Sequence, residues 1–256
     1  MKLFSRIYGE NNQEMIIIHG LFGMSDNWST LGKRFSEYYK VHLIDLRNHG
    51  RSPHSKVFNY QSMCEDLLEY IYSHNIKNPI LLGHSLGGKV AIKFAFTYSE
   101  KIEKLIVVDI APRQYNTDFH EGLLQKLSGL DLKSFSKRKQ LEDALSLFVD
   151  DIGVRLFLLK NLYRKENDEF VWRFNIPVLL DKVKNIQDDS FVVGTCKIPT
   201  FFIKGGDSDY IQIEDERKIY KHFINCSIAT LDGAGHWVHA EQPERFYNEV
   251  IRFCLM

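Results

Sequence analysis

The chain has 256 residues, 44% of them hydrophobic and 26% charged, and its 33 basic and 33 acidic side chains cancel to a formal net charge of +0. Those proportions exclude a disordered, collagen-like or coiled-coil chain. With no basic excess, the electrostatic footprint needed for nucleic-acid or anionic-membrane binding is missing.

The opening MKLFSRIYGE has no apolar stretch of the roughly 7–15 residues that a signal peptide needs. No apolar run reaches the roughly 18 residues of a membrane span. Cys64, Cys196, Cys226 and Cys254 form no C-x-x-C pair, so they read as reduced core thiols in a cytoplasmic protein.

Short Ile-, Val- and Leu-rich runs alternate with longer amphipathic stretches, the pattern of an α/β fold with a mostly parallel sheet. Residues before Glu14 are expected to add an antiparallel edge. The pattern then predicts strand 15–18, helix 28–38, strand 41–46, helix 60–74, strand 80–82, helix 85–98 and strand 105–109. After a gap come strand 200–203, helix 213–223, strand 228–231 and helix 243–254, the last opening on Pro243. In the gap, Leu123, Leu124 and Leu127, then Leu141, Ala144, Leu145 and Phe148, then Leu156, Leu159 and Leu162 recur at three- and four-residue spacing. This predicts an all-helical insertion over 113–196 within a core of 1–112 and 197–256. Long insertions in α/β folds tend to be functional, so it is read as a lid over a site on the sheet.

Gly83-His84-Ser85-Leu86-Gly87 is a G-x-S-x-G motif standing between a predicted strand and a predicted helix. That context suits a sharp turn lifting a serine hydroxyl clear of the sheet, with small neighbours that avoid collision. Ser85 is therefore the candidate nucleophile. His19-Gly20-Leu21-Phe22-Gly23 leaves the sheet nearby, so the amides of Leu21 and Leu86 are candidates for an oxyanion hole, with His19 organising the loop. His236, on the glycine-bearing loop after the final strand, is the candidate base, and His239 its structural neighbour. Two aspartates can serve as the acid: Asp109, ending the strand after the nucleophile helix, and Asp207, in Lys204-Gly205-Gly206-Asp207-Ser208-Asp209. Phe22, Trp237, Trp172 and Phe174 are candidate pocket aromatics. Arg47 and Arg51 read as charges bridging neighbouring loops, with anchoring of an acidic substrate group as the alternative.

The blocks HGLFG, DLRNHGRS, GHSLGGK, VDIAP and GAGHWVHAEQPE, in this order and spacing, resemble the YbfF-type esterases of the α/β-hydrolase superfamily. The resemblance runs from about Met15 to Phe253, although the insertion matches in position and length more than in residues. It implies a serine carboxylic-ester hydrolase with a helical lid, acting on short- to medium-chain acyl esters through an acyl-enzyme. It also implies that Asp109 rather than Asp207 faces His236, because the family often carries Asn at the position of Asp207. Neither a metal nor an organic cofactor is called for, the partner is a small ester or thioester, and no oligomeric state is specified. Other readings of the same groups are an acyl-CoA thioesterase, a C–C hydrolase or lyase on a small carboxylated substrate, for which arginines facing the pocket would speak, and a silent binding module. A haloalkane dehalogenase is disfavoured, since residue 85 is not a carboxylate.

Overall fold

A computed structural model describes residues 1–187 and 189–256. Its main sheet uses β1 (Ser5–Tyr8), β2 (Glu14–Ile18), β3 (Lys40–Ile44), β4 (Ile80–His84), β5 (Lys104–Val108), β8 (Thr200–Gly205) and β9 (Cys226–Leu231) in the order β1-β3-β2-β4-β5-β8-β9. Only β1 runs antiparallel, pairing Ser5 with Ile44 at the edge, as expected of the residues before Glu14. The other pairs are parallel.

Strands buried on both faces read as continuous apolar runs, and β4 is buried throughout. Alternation along β2 sends Ile16 and Ile18 into one core and Met15 and Ile17 into the other. The first core is covered by α2 (Tyr60–Ser73) and α3 (Leu86–Thr97), through residues such as Leu67 and Val90. The second is covered by α1 (Ser29–Phe35) and α10 (Pro243–Leu255), through Phe35 and Phe246. The carboxyl ends of β2, β4, β5, β8 and β9 therefore open at one edge of the sheet, where loops on a rigid support gather functional groups.

Between β5 and β8 lie α4 (Asp118–Ser128), α5 (Arg138–Ser146), α6 (Ile152–Leu159) and α7 (Ile176–Lys182). The expectation of an all-helical insertion is corrected by a hairpin of β6 (Leu162–Arg164) and β7 (Phe170–Trp172), paired antiparallel. Each strand has three residues, too few to show a two-residue period, and Leu162 also fits the helical spacing of Leu156 and Leu159. After β8 follow α8 (Ile213–His222), then β9, α9 (Val238–Glu241) and α10. The four cysteines are free. No helix among the described residues is long and apolar enough to cross a membrane.

Candidate active site

Ser85 sits between β4 and α3 with φ 51° and ψ −115°, a left-handed conformation that is uncommon outside glycine. Its amide donates to Val108 O at 3.0 Å, which ties the turn to β5. A Cβ on Gly83 would come within 2.3 Å of Gly87 O, and one on Gly87 within 2.4 Å of Ile18 O. The two glycines flanking Ser85 are thus demanded by backbone contact, and the turn keeps the serine at the head of α3. Leu86 is the first residue of that helix, where an amide has no intrahelical acceptor and the helix dipole favours negative charge.

The ring of His236 donates or accepts at Nδ1 across 2.7 Å to Asp109 Oδ2, and with an ionised carboxylate the nitrogen is the donor. Asp109 is fully buried and also accepts from Gly205 N at 3.0 Å and from the Ser208 hydroxyl. Its own amide donates to Ile203 O at 2.8 Å although its φ is 48°, so the sheet ladder holds a strained residue in place. Asp207 is exposed, and its amide donates to Ala234 O at 2.9 Å. Of the two aspartates weighed from the sequence, only Asp109 meets the imidazole.

Around this pair lies a stack of rings. Tyr210 lies on His236 with centroids 3.7 Å apart and planes 17° from parallel, and the His84 ring packs against it with centroids 4.7 Å apart and planes tilted by 42°. His84 Nε2 donates to His236 O at 2.8 Å, binding the histidine loop to the serine turn. Burial holds the His84 imidazole well below the ordinary histidine range, and the neighbouring His236 and His239 add to that. His239 stacks on Trp28 at 4.0 Å and burial lowers it to about 3. His19 bonds Gly20 O at 2.7 Å through Nδ1 and accepts from Leu46 N at 3.0 Å through Nε2, so it organises the loop that carries Leu21.

Ser85 and His236 line one cavity together with Leu21, Phe22 and Trp237. A second cavity, lined by Leu86, Lys89 and Arg113, also reaches Ser85. Trp172 lines neither, a correction to its reading as a pocket aromatic: it stacks on Phe174 at 5.2 Å, and Phe174, itself buried, packs on Phe22. Hairpin geometry decided its direction, which the sequence does not encode locally. Arg47 pairs bidentately with Asp66 of α2 at 2.6 and 2.8 Å, and Arg51 meets Asp26, in the short helical turn Ser25–Trp28, at 3.2 Å, so both arginines tie their loop to a helical element rather than to another loop. Sequence reasoning missed Ser208, Tyr210, His84 and the lid residue His120. Ser208 directly follows Asp207, and its hydroxyl is the available signal. No group of three or more His, Cys, Asp or Glu side chains among the described residues is disposed to hold a metal ion.

Comparison with known proteins adds three findings. The model of the alpha/beta hydrolase fold matches residues 14–243. Esterase YbfF of Escherichia coli is 33% identical over 248 residues, spanning 95% of this chain and 93% of that protein, and an sn-1-specific diacylglycerol lipase ABHD11 of Danio rerio is 34% identical over 246 residues, spanning 93% and 77%. A solved structure described as a marine microorganism esterase superposes with a TM-score of 0.93 at 39% identity, covering 99% of each chain.

Proposed function

The chain belongs to the α/β-hydrolase family and is an enzyme of the serine-esterase type, and we propose that it hydrolyses short- to medium-chain carboxylic esters through Ser85, His236 and Asp109. The observation that carries this reading is the buried Asp109 carboxylate bonded at 2.7 Å to an imidazole that shares a cavity with a strained, helix-heading serine.

Ser85 Oγ attacks the acyl carbon while His236 Nε2 takes its proton. Asp109 fixes the imidazole with Nδ1–H and balances the charge that forms on the ring. The bond from carbon to leaving oxygen then breaks, and His236 returns the proton to that oxygen. Water, deprotonated by the same imidazole, cleaves the acyl-enzyme and restores the serine. The amides of Leu21 and Leu86 hold the oxyanion, which the positive end of α3 also favours. Among the described residues no hydrogen bond yet joins Ser85 Oγ to His236; such contacts commonly tighten only when substrate binds. Residues 113–196 act as the lid over this site.

A fluorophosphonate probe followed by peptide mapping tests the nucleophile. Labelling at Ser85, together with a burst of p-nitrophenol from p-nitrophenyl esters, is the expected result. Labelling elsewhere, or turnover without any covalent adduct, would overturn the proposal.

A further inference from the structure

His120 is the third residue of α4 and falls on the apolar stripe of that helix, since His120, Leu123, Leu124 and Leu127 repeat at three- and four-residue spacing. The three leucines are buried, and the same face turns the imidazole inward, where it lines both cavities that reach Ser85. Leu21, Ser85 and Tyr210 are the other residues that line both. The inserted segment thus sets a histidine over the serine turn and over the loop that carries Leu21.

A polar ring on an apolar stripe is costly unless it is paired. Among the described residues neither nitrogen of His120 has a hydrogen-bond partner, and Nδ1 is sealed from solvent. The ring packs instead on Phe22 and Phe119, with centroids 6.2 and 5.7 Å away. Burial, with His236 nearby, lowers His120 to about 4, so the imidazole is neutral at neutral pH and carries one N–H. A proton on the sealed Nδ1 would be an orphaned donor, which favours the tautomer with the proton on Nε2.

We propose that His120 is a further catalytic residue, its Nε2–H donating to the carbonyl oxygen of the bound ester as a third oxyanion contact beside the amides of Leu21 and Leu86. The inference rests on the reading of Ser85 as nucleophile given above. Contact with Phe22 sets the ring beside the loop whose Leu21 amide faces that oxygen. As a neutral donor it adds no second cation next to His236, which must itself become charged in the same step. No proton leaves His120. The hydrogen bond strengthens as the carbonyl oxygen gains negative charge, so its loss falls on kcat more than on KM. Two of the three donors belong to the sheet-borne core and the third to the insertion, so the oxyanion site is complete only with the insertion seated on the core.

Three substitutions at this position test the role, each variant first shown folded by circular dichroism. His120→Phe keeps an aromatic ring and removes the N–H, His120→Gln returns an amide N–H near the place of Nε2, and His120→Asn returns one near the place of Nδ1. On p-nitrophenyl acetate, His120→Phe is expected to lower kcat by about tenfold to a hundredfold with KM nearly unchanged. His120→Gln should recover most of that loss and His120→Asn should not. The loss in kcat/KM should be equal for p-nitrophenyl acetate and ethyl acetate, because the carbonyl oxygen is common to both. A fluorophosphonate should label Ser85 of His120→Phe completely but more slowly than in the unmodified enzyme, since its phosphoryl oxygen takes the same place.

A packing role alone predicts the opposite ranking, with Phe above Gln. That ranking would overturn the proposal, as would equal losses in all three variants. A loss that grows from p-nitrophenyl acetate to ethyl acetate would move the contact to the leaving oxygen and overturn it as well. Labelling separates the two claims: failure of the unmodified enzyme to take up the probe at Ser85 refutes the nucleophile, whereas full labelling with an unchanged rate in His120→Phe refutes only the role of His120.

Discussion

The sheet-borne core and the inserted segment 113–196 differ in how many ionisable groups they bury. The core buries histidines, aspartates and a lysine among its strand ends: His19, His49, His84, Asp45, Lys89 and Asp109 are all nine-tenths or more buried. The insertion buries leucines such as Leu124, Leu141 and Leu145 and leaves large apolar side chains in water, with Phe119 at 70% and Leu147 at 85% exposure. A buried polar group is stable only with its partners in place, and that requirement fixes geometry. Apolar helices packed on one another tolerate exchange of one hydrophobic residue for another. The contrast teaches that burying polar groups fixes geometry in the core, whereas an apolar helical layer leaves its own sequence freer to vary.

The largest effect should come from Ser85→Ala. Turnover is expected to fall by several powers of ten with the fold intact, because the turn loses a single hydroxyl. Retention of more than about a tenth of kcat in pure protein would break the division at its centre.

Next comes the aspartate pair. Asp109→Asn should lower kcat by about 10⁴, since an amide favours the wrong imidazole tautomer, whereas exposed Asp207→Asn should cost far less. Both are measured on one short-chain ester after circular dichroism shows each variant folded. A reversed order would move the acid to the Gly205–Gly206 loop.

For the insertion, Leu141→Ala, at a position with no exposure, should destabilise by about 2–5 kcal/mol in urea unfolding. Exposed Leu147→Glu should stay within about 0.5 kcal/mol. Equal effects would show that the insertion has no organised core of its own.

Acid sensitivity sharpens the contrast from the core's side. Burial lowers His19 to about 4, His49 to about 3 and His239 to about 3. Each is therefore neutral when folded and takes a proton on unfolding once the pH is below the ordinary value near 6.5. The unfolded state then binds more protons, so stability is constant above that value and falls on acidification by about 1.4 kcal/mol per pH unit for each such histidine. The loss continues until the folded values are reached near pH 3–4. In His239→Phe the new ring keeps the stack on Trp28, and the slope of unfolding free energy between pH 6 and pH 4 should flatten by one histidine's share, about 1.4 kcal/mol per pH unit. An unchanged slope would mean that His239 already binds its proton in the folded state.

Much of this was legible along the chain. Apolar runs such as Met15-Ile16-Ile17-Ile18 marked the strands because a strand covered on both faces leaves no polar position to break the run. Ser85, His236, Leu21 and Leu86 stand out as candidates because strand, turn and helix follow one another locally, and the glycines beside Ser85 are required by the backbone they touch. The hairpin of β6 and β7 and the direction of Trp172 were not legible. Three-residue strands carry no period, and a side chain's direction across a long insertion depends on what packs against it.

The sequence by itself determined the α/β alternation, the place of the insertion, and the serine turn and histidine loop, because each rests on contacts within a few residues or on a repeating burial pattern. Only the tertiary structure decided which aspartate meets the imidazole, that Ser208 and Gly205 bond the same carboxylate, and that Tyr210 and His84 pack against the His236 ring. Those contacts join residues 96 to 152 positions apart in the cases of Gly205 with Asp109 and His84 with His236. Their existence depends on β5, β8 and β4 lying side by side in one sheet, and no local propensity specifies that adjacency.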